Sequence, residues 1–376
     1  MDNIILSFGL AFFVTFFAIP VIIQVAKEKK FYDEPDERKV HKSVIPTLGG
    51  LGIFGGFILA TLMGVPPALS HQLQYFMASL MVIFFLGIKD DVLVISPTKK
   101  FIGQLLAAGI IIKFGGIQIN NMHGLFGINA IPHTASVLLT FFTIIVITNS
   151  FNLIDGVDGL AGSLGLLTSL VFGIYFFVVG QLMFATMAFA LSGSLIGFLI
   201  YNFSPAKIFM GDTGSLLIGL LNSIFVIKFI SLASDPVLNP NFPLQSAPAI
   251  GFAVLIVPLF DTLRVFSLRI INRRSPFSPD RNHIHHFLLE LGLNHKMITA
   301  VCVSANILFI ALAYFLRSMG TTMVILSLAT AAVVFVGIVY YSRPKPKLVS
   351  VENNKEEQII KSHKVLTLVT ERIEQD

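Results

Sequence analysis

The sequence predicts an all-α, polytopic integral membrane protein of about 11 transmembrane helices, with its N-terminus outside and its C-terminus in the cytoplasm. Three observations predict it. Of the 376 residues, 55% are apolar and only 12% charged, and mean hydropathy is +0.82. Soluble domains carry about 25% charged residues. The apolar residues gather in stretches near the ~20 residues that cross a hydrocarbon core. Finally, of 26 Lys and Arg, all but Lys113, Lys228 and Arg317 lie in alternate loops, toward the segment ends that border those loops, or in the tail after the last stretch. Basic residues resist translocation, so those loops are cytoplasmic.

In chain order the apolar segments cover 3–26, 47–69, 74–89, 98–114, 135–151, 159–179, 182–201, 213–233, 248–268, 297–317 and 321–341. Residues 4–23 have no basic region before them, so they read as an inserted first span rather than a cleaved signal. Lys27, Lys29 and Lys30 form its cytoplasmic flank. The segments at 74–89 and 98–114 are the shortest; the second begins at Ser96-Pro97, with Pro where a helix needs no amide donor. Pro258 and Asp261-Thr262 interrupt the ninth segment near its inner end, and Arg264, Arg269, Arg273 and Arg274 follow. That pattern reads as a kinked helix leaving the membrane along the interface. An odd number of spans agrees with termini on opposite sides.

Residues 1–341 form the membrane-embedded domain and 342–376 a charged cytoplasmic tail, in which Ile359, Ile360, Leu366, Val369 and Ile373 suit a short amphipathic surface helix. The single cysteine, Cys302, lies in a span, which excludes an internal disulfide and disfavours thiol catalysis. A pI near 9.2 reflects topology signals and anionic headgroups or substrates rather than nucleic acid.

The acids share the cytoplasmic side: of 21 Asp and Glu, all but Asp2 and Asp235 fall there. Acids contribute little to orientation, so their clustering points to a site of chemistry at the inner ends of the spans. Four loops carry it. Asp90-Asp91 closes the third segment, where adjacent carboxylates repel and suit proton uptake or metal binding, and Lys100 stands one turn into the next helix. Asn149-Ser-Phe-Asn-Leu-Ile-Asp-Gly-Val-Asp-Gly159 sets Asn149, Asn152, Asp155 and Asp158 at spacings of three. Such oxygen donors suit Mg²⁺, and ionisable groups at membrane depth default to function. Tyr201 to Ser215 holds Asn202, Lys207 and Asp212, the last at a helix start where it serves equally as N-cap or ligand. The longest inner loop ends in Asp280-Arg281-Asn-His-Ile-His-His286. Its three histidines could hold a transition metal, but with no Cys nearby they read better as donors, with Arg281, to a diphosphate or sugar.

In this order these motifs resemble the polyprenyl-phosphate N-acetylhexosamine-1-phosphate transferases over about residues 35–290, including Val40-His-Lys-Ser-Val-Ile-Pro-Thr-Leu-Gly-Gly50. The resemblance implies transfer of N-acetylhexosamine-1-phosphate from a UDP-sugar to undecaprenyl phosphate, giving undecaprenyl-diphosphate-sugar and UMP. It implies Mg²⁺ as cofactor, with Mn²⁺ as the substitute, and a bacterial cytoplasmic (inner) membrane location with the active site facing the cytoplasm. Such a step begins cell-envelope polysaccharides, among them peptidoglycan, teichoic acid and lipopolysaccharide. It leaves room for a homodimer. By residue, it implies catalytic roles for Asp90, Asp91, Asp155, Asp158 and His283. Asn152 and Asp212 become the metal site; Lys100, Asn149, Asn202, Lys207, Arg281, His285 and His286 bind substrate. It leaves open whether an Asp is transiently phosphorylated or the lipid attacks directly.

The Arg-Asn-His-Ile-His-His run resembles the UDP-GlcNAc branch of the family more than the UDP-MurNAc-pentapeptide branch. A secondary transporter is the rival of a different class. It requires charges near the midplane and broken helices in related halves, whereas these acids gather at span ends.

Overall fold

The computed structural model describes residues 2–29, 45–69, 71–233, 244, 246–273 and 282–344, and its first compact unit spans Met1–Ser342. The expected tail helix, Arg281 and the run from Val40 to Val44 lie outside the described residues. Every predicted apolar segment is helical. They form α1 (Asp2–Glu28), α2 (Gly49–Gly64), α3 (Leu73–Leu93), α4 (Pro97–Lys113), α5 (His133–Ile154), α6 (Leu160–Val178), α7 (Leu182–Asn202) and α8 (Gly211–Ala233). The ninth segment is two helices, α9 (Ala247–Val254) and α10 (Ile256–Ile271). A short α11 (Ile284–Glu290) precedes α12 (His295–Phe315) and α13 (Thr321–Tyr341). One antiparallel hairpin, β1 (Asn121–Leu125) and β2 (Ile128–Ala130), joins α4 to α5.

The fold is multi-pass. Among the described residues seven helices are each long and apolar enough by themselves to cross a membrane, and α9 with α10 makes an eighth if the bent pair counts as one. The helices α2, α3 and α4 are not among them. α2 has 16 residues, about 24 Å at 1.5 Å per residue, short of a core of about 30 Å. α3 ends in Lys89-Asp90-Asp91 and α4 carries Lys99 and Lys100 in its first turn. Both exchange apolar length for charge at the end where the acids gather.

The hub is α8, whose most apolar window is 83% buried, against 28% for α1 and 22% for α13. It packs against α2, α3, α5 and α6. Without a hydrophobic drive between helices in lipid, such contact depends on small residues and close packing. At Gly87 of α3, an added Cβ would stand 2.4 Å from Thr213 Cα of α8. Only glycine lets the two helices meet there.

Chain direction sorts the loops into two sets. The C-terminal ends of α3 and α5 meet the N-terminal ends of α4 and α8 through the site described below. At the other end, Thr321 Oγ1 at the start of α13 donates to His123 O of β1 at 2.7 Å, and Ser246 Oγ donates to Arg317 O at 2.8 Å.

The ninth segment bends by 85° at Leu255, three residues before the expected interruption. Pro258 is the cause: lacking an N–H, it leaves the carbonyl four residues earlier, Val254, without a helical donor. Asn306 of α12, fully buried, repairs the gap. Its Nδ2 donates to Val254 O at 3.0 Å and its Oδ1 accepts from Val257 N at 3.2 Å. One amide thus closes both loose ends of the break.

Candidate active site at one end of the helix bundle

The site grows from two facing helices. On α4, Lys100 and Gln104 are one turn apart and share a face; on α5, Asn149 and Asn152 do the same. They pair as two rungs. Lys100 Nζ donates to Asn152 Oδ1 at 3.2 Å. Asn149 Nδ2 donates to Gln104 Oε1 at 2.8 Å, and Gln104 Nε2 returns a bond to Asn149 Oδ1 at 3.3 Å. Gln104, which sequence reasoning missed, is a polar residue inside an apolar segment, and that was its signal.

Lys100 is where the loops converge. Its ammonium lies 3.0 Å from Asp90 Oδ2 at the end of α3 and is bonded to Asp212 Oδ2 in the first turn of α8. Asn152 Nδ2 also donates to Asp212 Oδ1 at 2.8 Å and contacts Ser215 Oγ at 3.0 Å. Residues from α3, α4, α5 and α8, 122 positions apart at the extreme, therefore surround one cation.

The adjacent carboxylates Asp90 and Asp91 do different work. Asp90 Oδ1 accepts from Ile95 N at 2.7 Å and its other oxygen faces Lys100. Asp91 points at the start of α8 and accepts from Asp212 N at 2.7 Å, Thr213 N at 3.0 Å and Thr213 Oγ1 at 2.5 Å. It caps that helix from a neighbouring one, satisfying amides that the first turn leaves without partners. Asp212 is consequently not the cap, and its side chain is turned into the site. Gly211, at φ +70°, makes room: a Cβ there would meet Thr47 O at 2.2 Å and the Asp91 carboxylate at 2.7 Å.

The second loop divides similarly. Asp155 ends α5 and has no side-chain hydrogen bond or ion pair among the described residues. Burial, followed by the negative charges of Asp212, Asp91 and Asp158, holds its carboxyl well above the usual range. Asp158, 5% exposed, instead ties loops together. Its Oδ2 accepts from Ala206 N at 3.2 Å and lies 3.2 Å from His295 Nδ1 of α12. Asn202, also buried, donates to Ile208 O at 2.8 Å and accepts from Gly159 N at 2.9 Å, so both ends of its amide hold backbone. Lys207 is exposed on the same loop. His295, unforeseen from the sequence, opens a span much as the other site residues do.

The histidine element docks against this loop. A Cβ added to Gly156, between Asp155 and Asp158, would stand 2.6 Å from His285 Nε2. His283 and His285 lie parallel, ring centres 5.7 Å apart, and His286 is 4.3 Å from His285. Burial pushes the His285 imidazole down to about 3, with the charges of His286, His283 and His295 adding to it and Asp261 opposing. Its Nδ1 is buried without a hydrogen-bond partner among the described residues.

The residues suit a hard divalent cation by donor chemistry. Among the described residues, no three His, Cys, Asp or Glu form a ready metal-binding group. Yet the Lys100 ammonium already marks a point where carboxylate oxygens of Asp90 and Asp212 and the amide oxygen of Asn152 converge. Asp155 adds a carboxyl group with no ion-pair partner among the described residues. All of these are oxygen donors, the type Mg²⁺ selects.

A multi-pass helical membrane protein with acidic and basic side chains converging at one end of its bundle is the class defined so far. The comparisons narrow it. Residues 73–230 match the family described as glycosyl transferase family 4. The chain is 32% identical over 324 residues to a Bacillus subtilis protein named "Probable undecaprenyl-phosphate N-acetylglucosaminyl 1-phosphate transferase", covering 85% of this chain and 86% of that one. It is 33% identical over 308 residues to the decaprenyl-phosphate N-acetylglucosaminephosphotransferase of Mycobacterium leprae, covering 76% of each. Against the undecaprenyl-phosphate alpha-N-acetylglucosaminyl 1-phosphate transferase of Escherichia coli K12 it is 28% identical over 278 residues, 73% of each. The chain belongs to glycosyl transferase family 4.

Proposed function

We propose that this protein transfers N-acetylglucosamine-1-phosphate from UDP-N-acetylglucosamine to undecaprenyl phosphate. The products are UMP and an undecaprenyl-diphosphate-linked sugar, the first lipid-linked step of a cell-envelope polysaccharide. The observation that carries the reading is the gathering of Asp90, Asn152 and Asp212 around the Lys100 ammonium at one end of the bundle. The names of the relatives supply its chemical class.

In the reaction an oxygen of the lipid phosphate forms a bond to the β-phosphorus, and the bond from that phosphorus to the bridging oxygen breaks, releasing UMP. Two anions must meet, so the barrier is chiefly electrostatic, and positioned cations lower it. Asn152 and Asp212 would hold Mg²⁺, with Asp155 alongside. When bound, the ion would neutralise diphosphate charge as the new bond forms. The amide oxygen that Asn152 would offer the ion is the one that accepts from Lys100 Nζ in this structure. Lys100, in the first turn of α4, would meet a phosphate oxygen. Asp90, at the end of α3 beside Lys100, would position the lipid phosphate or take its proton. Asp91 keeps α8, and with it Asp212, in place. The histidine element is suited to the nucleotide-sugar. The protein would sit in a bacterial cytoplasmic membrane with this end facing the cytoplasm.

Detergent-solubilised protein given UDP-N-acetylglucosamine, undecaprenyl phosphate and Mg²⁺ should release UMP and form a lipid-linked sugar in equal amounts. Absence of both products, with substrate intact, would contradict the reading. A panel of UDP-sugars in the same assay should show N-acetylglucosamine as the best donor.

A further inference from the structure

We infer that Asp261 is a positioning residue for the reaction proposed above. Its carboxylate holds His283 with the proton on Nδ1 and the lone pair on Nε2, and pins the start of the histidine turn to α10.

Asp261 is 3% exposed, an acid that follows the apolar stretch Ile256–Phe260 of α10. A buried carboxylate is retained only where donors replace its lost hydration. Three do so. Its Oδ2 lies 2.8 Å from His283 Nδ1, and its Oδ1 accepts from Ile284 N at 3.0 Å and from Arg264 Nη2 at 2.7 Å. Arg264 also donates to Asn282 O and stacks over the Phe287 ring at 5.3 Å. Residues 282, 283, 284 and 287 are therefore all gripped from one turn of α10.

An ionised carboxylate can only accept, so the His283 nitrogen facing it must be the donor. That fixes the tautomer: Nε2 is left to accept a proton or a hydrogen bond, and the neighbouring carboxylate offsets the charge if the proton arrives. The ring is held in orientation as well, parallel to His285, which in turn rests on Gly156 between Asp155 and Asp158. Asp261 thus connects the bent helix pair to the acidic loop through two imidazoles. A purely mechanical staple would need the backbone and Arg264 bonds but would be indifferent to which nitrogen of His283 carries the proton.

Asp261→Asn separates the two roles. Its oxygen can still accept from Ile284 and Arg264, while its amide presents a donor to His283 Nδ1 and forces the proton to Nε2. The inference rests on the transferase reading for its kinetic arm. There, Asp261→Asn should melt close to the wild-type temperature and keep its KM for UDP-N-acetylglucosamine within about threefold. Its kcat should fall by up to about 10⁴, the loss that accompanies the wrong tautomer of a catalytic His. Asp261→Glu, which retains an acceptor, should recover part of that loss. A second arm needs no turnover. Nitrogen-15 spectra of histidine-labelled protein, with the His283 signal assigned by its loss in His283→Gln, should show Nδ1 protonated and Nε2 bare in the wild type, and the reverse in Asp261→Asn. Wild-type spectra with a bare Nδ1 overturn the inference, as does an Asp261→Asn protein with wild-type kcat. If wild-type protein makes no lipid-linked sugar, the transferase reading fails, and the spectra alone decide the role of Asp261.

Discussion

At the scale of single residues, side-chain direction decides more than residue type. Asp90 and Asp91 are identical and adjacent, yet one faces Lys100 and the other caps α8. Neighbours on a helix diverge by about 100°, and no sequence feature tells which way each points. The motif was therefore legible as a pair, but its division of labour was not. Asp155 and Asp158 part in the same way, one without a side-chain partner among the described residues and the other bonded to Ala206 N and facing His295. His285 gives a testable consequence of burial. Its ordinary value is 6.5 and in the fold it lies at about 3. Between these values the unfolded chain binds a proton that the folded chain refuses, so stability should decrease as pH falls from 6.5 toward 3. Apparent melting temperature in detergent should drop between pH 7.5 and 5, and His285→Gln should flatten that slope. An unchanged slope in the variant would place the titration elsewhere.

At the scale of elements, every apolar segment in the sequence became a helix, because about 20 apolar residues in lipid leave the backbone little else to form. What the sequence could not supply was where helices shorten or break. The ninth segment carries Pro258, which marks a disruption, but the bend falls at Leu255 because Asn306, from a distant helix, holds the freed Val254 carbonyl. Contacts of that kind are invisible in one dimension. The Gly87 contact is another, and it joins the acidic loop to the hub helix. Gly87→Ala should force α3 from α8, loosen Asp91 from the helix start, and cost about 1–3 kcal/mol in stability together with most activity. Gly55→Ala, where an added Cβ would meet nothing within 4 Å, is the control and should behave as wild type in both melting and turnover.

At the scale of the molecule, the uneven charge of the loops and the convergence of the site describe one arrangement. Acidic motifs dispersed from Asp90 to Asp212 meet because alternating helices return them to the same end of the bundle. The set of loops was readable from charge, since acids have no topological reason to follow Lys and Arg. Of the side chains that close the site, Gln104 and His295 were not singled out and Asp261 was read only as part of the break in the ninth segment, because their partners lie far off in sequence. A reporter fused after Tyr341 should read cytoplasmic, and a periplasmic signal would invert the proposed orientation. The central claim, that these carboxylates and amides hold the divalent cation on which transfer depends, is tested most directly by titrating turnover with Mg²⁺ in wild-type and Asp212→Asn protein. Wild type should rise to saturation while Asp212→Asn stays near background throughout; full Asp212→Asn turnover at the same Mg²⁺ would contradict the claim.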